Sequence, residues 1–234
     1  MKRRAVLGWA GLALVSAWPG LADPGFDPVG RWQFHHTDGT TFLARLMPDR
    51  TATTSFGGGE WGIWRREATA IRVLYTDGWD DLISLRTDGG FRKRGWAPGA
   101  DRCAVATNDG PAERLGTEPG AALVGPAAGV VGNGFDAVGR WLLYHADSSG
   151  KGFLVRLAPD QTAASDADGG QRGIWRREGD AVRVIFTDGW DDLISRAADG
   201  TFRKQAWGPD NDRCGPPAGT GGAKRISADA GPPL

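Results

Sequence analysis

The sequence is poor in cysteine, in net charge and in long apolar runs. It has two cysteines in 234 residues and equal numbers of acidic and basic side chains, 28 of each. After residue 22 no segment approaches the roughly 20 apolar residues that a membrane-spanning helix requires. No clustered basic face supplies the electrostatic attraction on which nucleic-acid binding depends. We therefore expect neither a membrane span in the mature form nor a nucleic-acid partner.

Motifs of common catalytic chemistries are missing as well. The chain has no CxxC, no phosphate-binding loop, no nucleophile elbow and no Ser-His-Asp pattern that can be assembled. No spacing points to a cofactor or a metal ion, although His36 and His145 occupy corresponding positions of the repeat described below. A catalytic role is therefore the less favoured interpretation.

The first 22 residues have the pattern of a secretory signal. Lys2, Arg3 and Arg4 precede an apolar stretch over residues 5–18 and a small-residue exit that ends at Ala22. Without those three cations the mature chain carries 25 basic and 28 acidic residues, a net charge of about −3. We expect a periplasmic or secreted protein.

Disulfides persist in such an oxidising compartment. Cys103 and Cys214 are candidates for one bridge, which would close a loop of about 110 residues and stabilise the fold by roughly 4 to 5 kcal/mol. Pairing between two chains, or two free thiols, is the competing interpretation.

The chain is an internal duplication. A shift of 111 residues aligns 59–103 with 170–214 without a gap, and about 29 of those 45 positions are identical. Upstream the offset is 109, because the second copy has two extra residues near 148–151, which indicates a surface loop there.

The duplication defines the predicted domains. A first repeat covers residues 23–115 and a second covers 134–227, with a Gly/Ala/Pro-rich linker at 116–133 and a loose tail at 228–234.

Within each repeat the pattern is that of short strands and tight turns. Alternation of apolar and polar residues, as at Ile71, Val73 and Tyr75, is interrupted by Asp-Gly and Pro-Gly turn signals, and no segment shows a sustained helical period. Seven or eight antiparallel strands must curl or close to protect their edges. We therefore predict an all-β protein of two tandem up-and-down β-barrels, with a pair of sandwiches as the alternative.

Each repeat begins with Gly-x-Trp, at Trp32 and Trp141, and ends with an arginine, Arg114 or Arg225, in its last predicted strand. This pattern resembles the calycins, the small barrels of lipocalins, avidins and bacterial metalloprotease inhibitors. The resemblance implies that the tryptophan closes one barrel end beneath the late basic residue.

A repeated acidic turn is the most distinctive candidate site. Three carboxylates within five residues suit calcium in principle, but strand alternation points Asp80 and Asp81 to opposite faces, and solvated carboxylates in a hairpin turn are the simpler interpretation. The six carboxylates are Asp77, Asp80, Asp81, Asp188, Asp191 and Asp192.

Arginine and tryptophan supply the other candidates. Arg65 and Arg176 suggest an anion-binding stripe, although a cross-strand ion pair on a solvent-exposed face is simpler. Trp32, Trp64 and Trp79 fit inward positions, whereas Trp61 corresponds to an arginine in the second repeat and is therefore expected at the surface.

These observations favour a non-catalytic exported binding protein whose barrels recognise a macromolecular partner. A carbohydrate-binding protein that uses exposed tryptophans is one alternative, and a periplasmic or secreted protease inhibitor is another.

Overall fold

The computed structural model describes residues 25–126, 134–145, 150–209, 211, 213–232 and 234. The predicted signal at 1–22, residues 127–133 of the predicted linker, and residues 148 and 149 of the region that holds the two-residue insertion lie outside the described residues. Within the described part of the chain, no helix has the length and apolar character needed to cross a membrane.

The chain folds into two consecutive closed barrels of eight antiparallel strands each. Each strand pairs with its neighbour in sequence, and the last strand of each barrel pairs with the first. Barrel 1 consists of β1 (Gly30–His35), β2 (Thr41–Leu46), β3 (Thr51–Thr54), β4 (Glu60–Glu67), β5 (Ala70–Tyr75), β6 (Asp80–Leu85), β7 (Phe91–Trp96) and β8 (Asn108–Gly116). Barrel 2 consists of β9 (Gly139–Tyr144), β10 (Gly152–Leu157), β11 (Thr162–Ser165), β12 (Gln171–Glu178), β13 (Ala181–Phe186), β14 (Asp191–Arg196), β15 (Phe202–Trp207) and β16 (Gly219–Ser227).

Aspartate-containing turns connect many of these strands. The Asp38 carboxylate accepts the Thr40 backbone N–H at 2.9 Å, and Asp88 accepts that of Gly90 at 3.0 Å. Gly39 and Gly89 both have φ of +83°, a conformation that glycine adopts without steric cost. Local turn chemistry therefore fixes where these hairpins reverse.

Each barrel has its own apolar core. Trp32, Phe34 and Trp64 are buried in barrel 1, with Trp79 half-buried against them. Trp141, Leu143 and Trp175 and their neighbours form the corresponding core of barrel 2. The inward positions expected for the tryptophans of the first repeat are thus confirmed.

One end of barrel 1 is closed as the Gly-x-Trp pattern implies. Trp32 pairs with Arg114 across β1 and β8, and the guanidinium carbon of Arg114 lies 5.9 Å from the centroid of the Trp32 ring. The Trp32 indole N–H donates to the Pro28 carbonyl at 2.8 Å, and Phe26 packs edge-on against the same ring.

The prediction of an all-β protein of tandem antiparallel barrels is confirmed, and the alternative of sandwiches is wrong. The strand order explains why. Closure of β8 onto β1, and of β16 onto β9, pairs the edges that a sandwich would leave open.

The two barrels pack against each other through the outer faces of equivalent strands. Ile63 and Leu74 of barrel 1 form one buried apolar cluster with Ile174 and Ile185 of barrel 2. The contacts are reciprocal: Arg50 donates to the Thr187 carbonyl, and Gln161, its counterpart, donates to the Thr76 carbonyl at 3.0 Å.

Reciprocity of this kind means that the repeats are related by a pseudo-twofold axis. Cys103 and Cys214, which are equivalent positions, form a disulfide with a Cα–Cα distance of 5.5 Å.

Candidate functional site

The repeated acidic turn places its carboxylates in three different environments. Asp77 remains exposed in its turn, where it accepts the Trp79 backbone N–H at 3.0 Å. Asp80 lies between the barrels, and Asp81 points into barrel 1. In barrel 2 the same division holds for Asp188, Asp191 and Asp192.

The interpretation of all these carboxylates as solvated is therefore wrong for four of the six. Asp80 and Asp191 are 1% and 0% exposed, and Asp81 and Asp192 are 3% and 2% exposed. Asp80 and Asp81 point to opposite faces, as the strand alternation predicts, but the outer face, on which Asp80 lies, is covered by the other barrel.

The interpretation of Arg65 as one partner of an ion pair on a solvent-exposed face is wrong for the same reason. Arg65 is 1% exposed and donates to Asp191 of barrel 2 at 2.7 Å. Arg176, which is 4% exposed, donates to Asp80 of barrel 1 at 2.9 Å. Four of the candidate residues thus form two reciprocal bridges across the contact between the barrels.

These bridges are part of a larger inter-barrel ion network. Arg72 and Arg183 bind Glu67 and Glu178 of their own barrels, at 2.6 Å and 2.8 Å. The members of the network are Arg65, Glu67, Arg72, Asp80, Arg102, Arg176, Glu178, Arg183, Asp191 and Arg213.

The sequence predicts Trp61 at the surface, and the structure places it at the edge of the contact between the barrels. It is half-buried and packs against the inter-barrel apolar cluster. Arg172, its counterpart in barrel 2, is exposed. The pseudo-twofold contact is therefore asymmetric at this position, and the difference between the copies reflects packing between the barrels.

A second feature lies at the end of barrel 1 opposite Trp32, and we name it the barrel-1 mouth. His36 is enclosed by rings there: its centroid is 4.9 Å from those of Phe42 and Phe56 and 6.4 Å from that of Trp79. Burial, and then the nearby Lys93, lower the pKa of His36, which keeps the imidazole neutral at pH 7. The barrel-1 mouth comprises His36, Phe42, Phe56, Glu60, Tyr75, Asp77, Trp79, Asp81 and Lys93.

Polar groups form the floor of the mouth. Lys93 is fully buried, 3.3 Å from an Asp81 oxygen and 5.1 Å from the centroid of the Phe42 ring. The Tyr75 hydroxyl is buried and has no hydrogen-bond partner among the described residues. Burial, with the carboxylates of Asp81 and Glu60, raises the pKa of Tyr75 and keeps it protonated.

At the rim, Glu60 and Asp77 form a carboxyl pair. Burial, a hydrogen bond to Asp77 and the charge of that neighbour raise the pKa of Glu60 to about 9. Glu60 is therefore protonated at neutral pH and hydrogen-bonded to Asp77.

Barrel 2 repeats the lysine–aspartate pair of the floor, but neither the tyrosine nor the rim. Lys204 lies 3.6 Å from Asp192 and over the Phe153 ring, as Lys93 does over Phe42. The repeat alignment, however, replaces three residues of the barrel-1 mouth and leaves the histidine at position 145 exposed. The replacements are Phe56 by Ala167, Glu60 by Gln171 and Tyr75 by Phe186.

No protein-family model and no curated protein matches this chain. Its function is therefore inferred from the geometry of the inter-barrel ion network and the barrel-1 mouth.

Sequence reasoning missed Lys93, Glu60 and Tyr75. A signal for Lys93 was present, because Phe91 and Lys93 are two residues apart on one strand and must face the same side. Nothing local marks Glu60, whose environment arises from the approach of the turn at Asp77. Among the described residues, no group of three or more His, Cys, Asp or Glu side chains is placed to hold a metal ion.

Proposed function

We propose that this protein is a non-catalytic, exported binding protein and that the barrel-1 mouth binds a basic side chain of a macromolecular partner. The observation that carries the proposal is the Glu60–Asp77 carboxyl pair at the edge of a half-buried aromatic cluster.

The chemistry of the rim favours a cation. A guanidinium or ammonium group gains charge-assisted hydrogen bonds from carboxylates and a further attraction from the faces of aromatic rings. The proton on Glu60 occupies the position that a cation would take, and Glu60 ionises when the cation replaces it. Phe56 and Trp79 lie 5.9 Å apart, centroid to centroid, beside this pair.

The resemblance to calycins supports the barrel-1 mouth as the end of the barrel at which a ligand enters. In barrel 1 the opposite end is occupied by Trp32, Phe26 and Phe91, whose rings pack edge-on against one another. Ligand access is therefore expected from the side of Glu60 and Trp79. Because barrel 2 has Gln171 where barrel 1 has Glu60, we expect one such site per chain.

The test uses a titration with Nα-acetyl-arginine amide, followed by calorimetry and by tryptophan fluorescence. Glu60→Gln introduces the residue that barrel 2 has at this position, so the fold is expected to tolerate it. We expect the variant to bind at least tenfold more weakly, because one carboxylate partner of the guanidinium is lost. Nα-acetyl-norleucine amide is the uncharged control.

Equal affinity of the wild type and Glu60→Gln for the arginine probe would contradict the proposal. A reciprocal variant, Gln171→Glu, extends the test by giving barrel 2 the missing carboxylate. Quenching by a neutral sugar that does not depend on Glu60 would favour the carbohydrate interpretation, and inhibition of a protease without binding of the probe would favour the inhibitor interpretation.

The proton that Glu60 holds makes the affinity of the barrel-1 mouth for a cation depend on pH. The guanidinium charge is constant between pH 6 and 9, whereas Glu60 loses its proton as the pH approaches about 9. Affinity for the arginine probe should therefore rise across this range, and binding at pH 7 should release a proton. Calorimetry in buffers of different ionisation enthalpy measures that release, and an affinity that falls as the pH rises would contradict the assignment.

A further inference from the structure

The outer wall of barrel 2 carries an open groove across β14, β15 and β16, and we name it the barrel-2 groove. Its volume is about 640 Å³, and it is lined by Ser195, residues 201–205 and residues 220–222. A volume of this size is typical of sites that bind small molecules. The groove shares no residue with the barrel-1 mouth or with the inter-barrel ion network, so it is a separate feature of the molecule.

The register of the strands places the polar side chains of this groove on one face. Ser195 lies opposite Arg203, and Arg203 lies opposite Gly222. Gln205 lies opposite Thr220 on the same pair of strands. Directly opposed residues of paired strands point to the same side of a sheet, so these positions form one continuous surface.

That surface is the outer one. Lys204, which lies between Arg203 and Gln205 on β15, points into the barrel and is 3.6 Å from Asp192. Because successive residues of a strand alternate between faces, Arg203 and Gln205 point away from the barrel. Arg203 and Gly222 are both exposed, and the glycine has no side chain that could fill the space beside the guanidinium.

The guanidinium of Arg203 is unpaired. It forms no hydrogen bond and no ion pair with any other residue that the structure describes. The Asp199 carboxylate, in the turn before β15, interacts electrostatically with Arg203, but it accepts the backbone N–H and the hydroxyl of Thr201 at 3.0 Å and 2.6 Å. The donors of Arg203 therefore remain available to a ligand.

Barrel 1 has the same arginine in a paired state. Arg92, the counterpart of Arg203, donates to the Asp109 carboxylate at 2.7 Å. The repeat alignment replaces Asp109 by Thr220, and it replaces a proline of barrel 1 by Gly222. Barrel 2 has thus lost both the counterion of this arginine and the side chain that lies across from it.

The same wall has lost a second carboxylate. In barrel 1 Glu113 lies 3.3 Å from His35, and the corresponding residues of barrel 2 are Lys224 and Tyr144. Lys224 is exposed and lies two residues from Gly222 on β16, so it shares the outer face. A Cβ atom at Gly222 would lie 3.4 Å from the Tyr144 ring, which places an aromatic side chain beside the groove.

We propose that the barrel-2 groove binds an acidic sugar, a uronic acid residue whose carboxylate is held by Arg203. A guanidinium matches the two oxygens of a carboxylate with paired hydrogen bonds. Ser195, Gln205 and Thr220 both donate and accept, as sugar hydroxyls require, and their side chains make no hydrogen bond within the described ranges. The negative face of the Tyr144 ring attracts the C–H groups of a sugar ring. This site does not depend on the function proposed for the barrel-1 mouth.

The experiment is an NMR titration of the ¹⁵N-labelled mature protein with trigalacturonate. Its methyl ester, which has the same ring hydroxyls without the charge, is one control, and sodium acetate, a carboxylate without a ring, is the other. We expect saturable shifts of the backbone amides in β14, β15 and β16, binding of the ester that is at least tenfold weaker, and no saturable shifts with acetate. Equal binding of the ester or of acetate, or shifts centred outside these strands, would overturn the proposal.

Variants of the groove locate the carboxylate. Thr220→Asp gives barrel 2 the residue that barrel 1 has at this position, so the fold is expected to tolerate it, and the new carboxylate should pair with Arg203 as Asp109 pairs with Arg92. We expect this variant and Arg203→Gln each to bind trigalacturonate at least tenfold more weakly. Arg92→Gln, at the equivalent exposed position of barrel 1, is the matched control and should change the affinity less than twofold. Equal losses in Arg203→Gln and Arg92→Gln, or no loss in Thr220→Asp, would show that the groove is not the site.

Discussion

A lysine and an aspartate are enclosed together inside each barrel. Lys93 with Asp81, and Lys204 with Asp192, stand among aromatic and aliphatic side chains and are at most 4% exposed. Burial raises the pKa of both aspartates to about 6, although the neighbouring lysine acts against that shift. At the scale of a residue, the interior of each barrel therefore holds a group that titrates in the acidic range.

This titration predicts how stability depends on pH. A raised carboxyl pKa means that the native state holds a proton that the unfolded chain releases, so the contribution to stability is complete below about pH 4 and is lost as the pH rises through about 6. A shift of about two units corresponds to about 3 kcal/mol for each aspartate. We expect Asp81→Asn and Asp192→Asn each to remove a similar part of the slope between pH 4 and 6, measured by urea unfolding at pH 4, 5, 6 and 7. Glu60, whose pKa is about 9, contributes a slope of the same sign that remains in both variants.

Glu67 titrates at lower pH than the two aspartates, so its effect on stability can be separated from theirs. Burial raises its pKa, but Arg72 and Arg65 outweigh burial and hold the pKa at about 2. Its contribution is complete above about pH 4.5 and is lost as the pH falls through about 2, so its slope has the opposite sign and lies mainly below that of the aspartates. If Asp81→Asn left the pH dependence of the free energy of unfolding unchanged, the raised pKa assigned to Asp81 would be wrong.

At the scale of the strand, the features that could be predicted are those that depend on local sequence: which side chains face inward and where the hairpins turn. Alternation identified inward residues such as Trp32 and Trp64, and Asp-Gly pairs marked the hairpin turns. The outer face was assigned to solvent because a single strand shows which side a residue faces and not what covers that side. Arg65 and Asp80 were therefore misjudged together, by one unrecognised contact between the barrels.

The same limit explains why the candidate site was predicted only in part. The acidic turn was identified as a candidate, and the closeness of Glu60 to Asp77 follows from the register of the β4–β5 hairpin, in which Gly62 lies opposite Tyr75. The closeness of Arg176 to Asp80, in contrast, depends on strands of different barrels. Long-range pairings of this kind have no local periodic signal.

The strands that meet between the barrels permit a matched comparison. Asp80→Asn removes the carboxylate that binds Arg176 and Arg102, and leaves buried cations without a counterion. We expect a loss of about 3–5 kcal/mol in the free energy of unfolding, measured with urea at pH 7. Asp88→Asn, in the exposed turn after the same strand, should change it by less than about 0.5 kcal/mol. Similar losses in both variants would show that the lost stability does not come from the burial of Asp80 between the barrels.

At the scale of the molecule, the duplication produces a pair of barrels that form their contact from equivalent surfaces. The disulfide lies at the pseudo-twofold axis, and each cysteine follows an arginine of the ion network, Arg102 or Arg213. These two arginines are 3.6 Å and 3.7 Å from glutamates of the opposite barrel. The covalent link and the ion network therefore hold the same segments in place.

The contribution of the Cys103–Cys214 disulfide to stability can be measured by removing it. A disulfide between residues 111 apart restricts the unfolded chain, and the chain-entropy model gives about 4 to 5 kcal/mol of stabilisation. We expect the double variant Cys103→Ser, Cys214→Ser to lower Tm by roughly 10–15 °C, as does reduction of the wild type. Each barrel should keep its β-sheet circular dichroism below Tm, because each closes on itself and has its own core. Loss of the β signal at 25 °C would instead mean that neither barrel is stable without the covalent link, and an unchanged Tm would mean that the ion network alone fixes the contact.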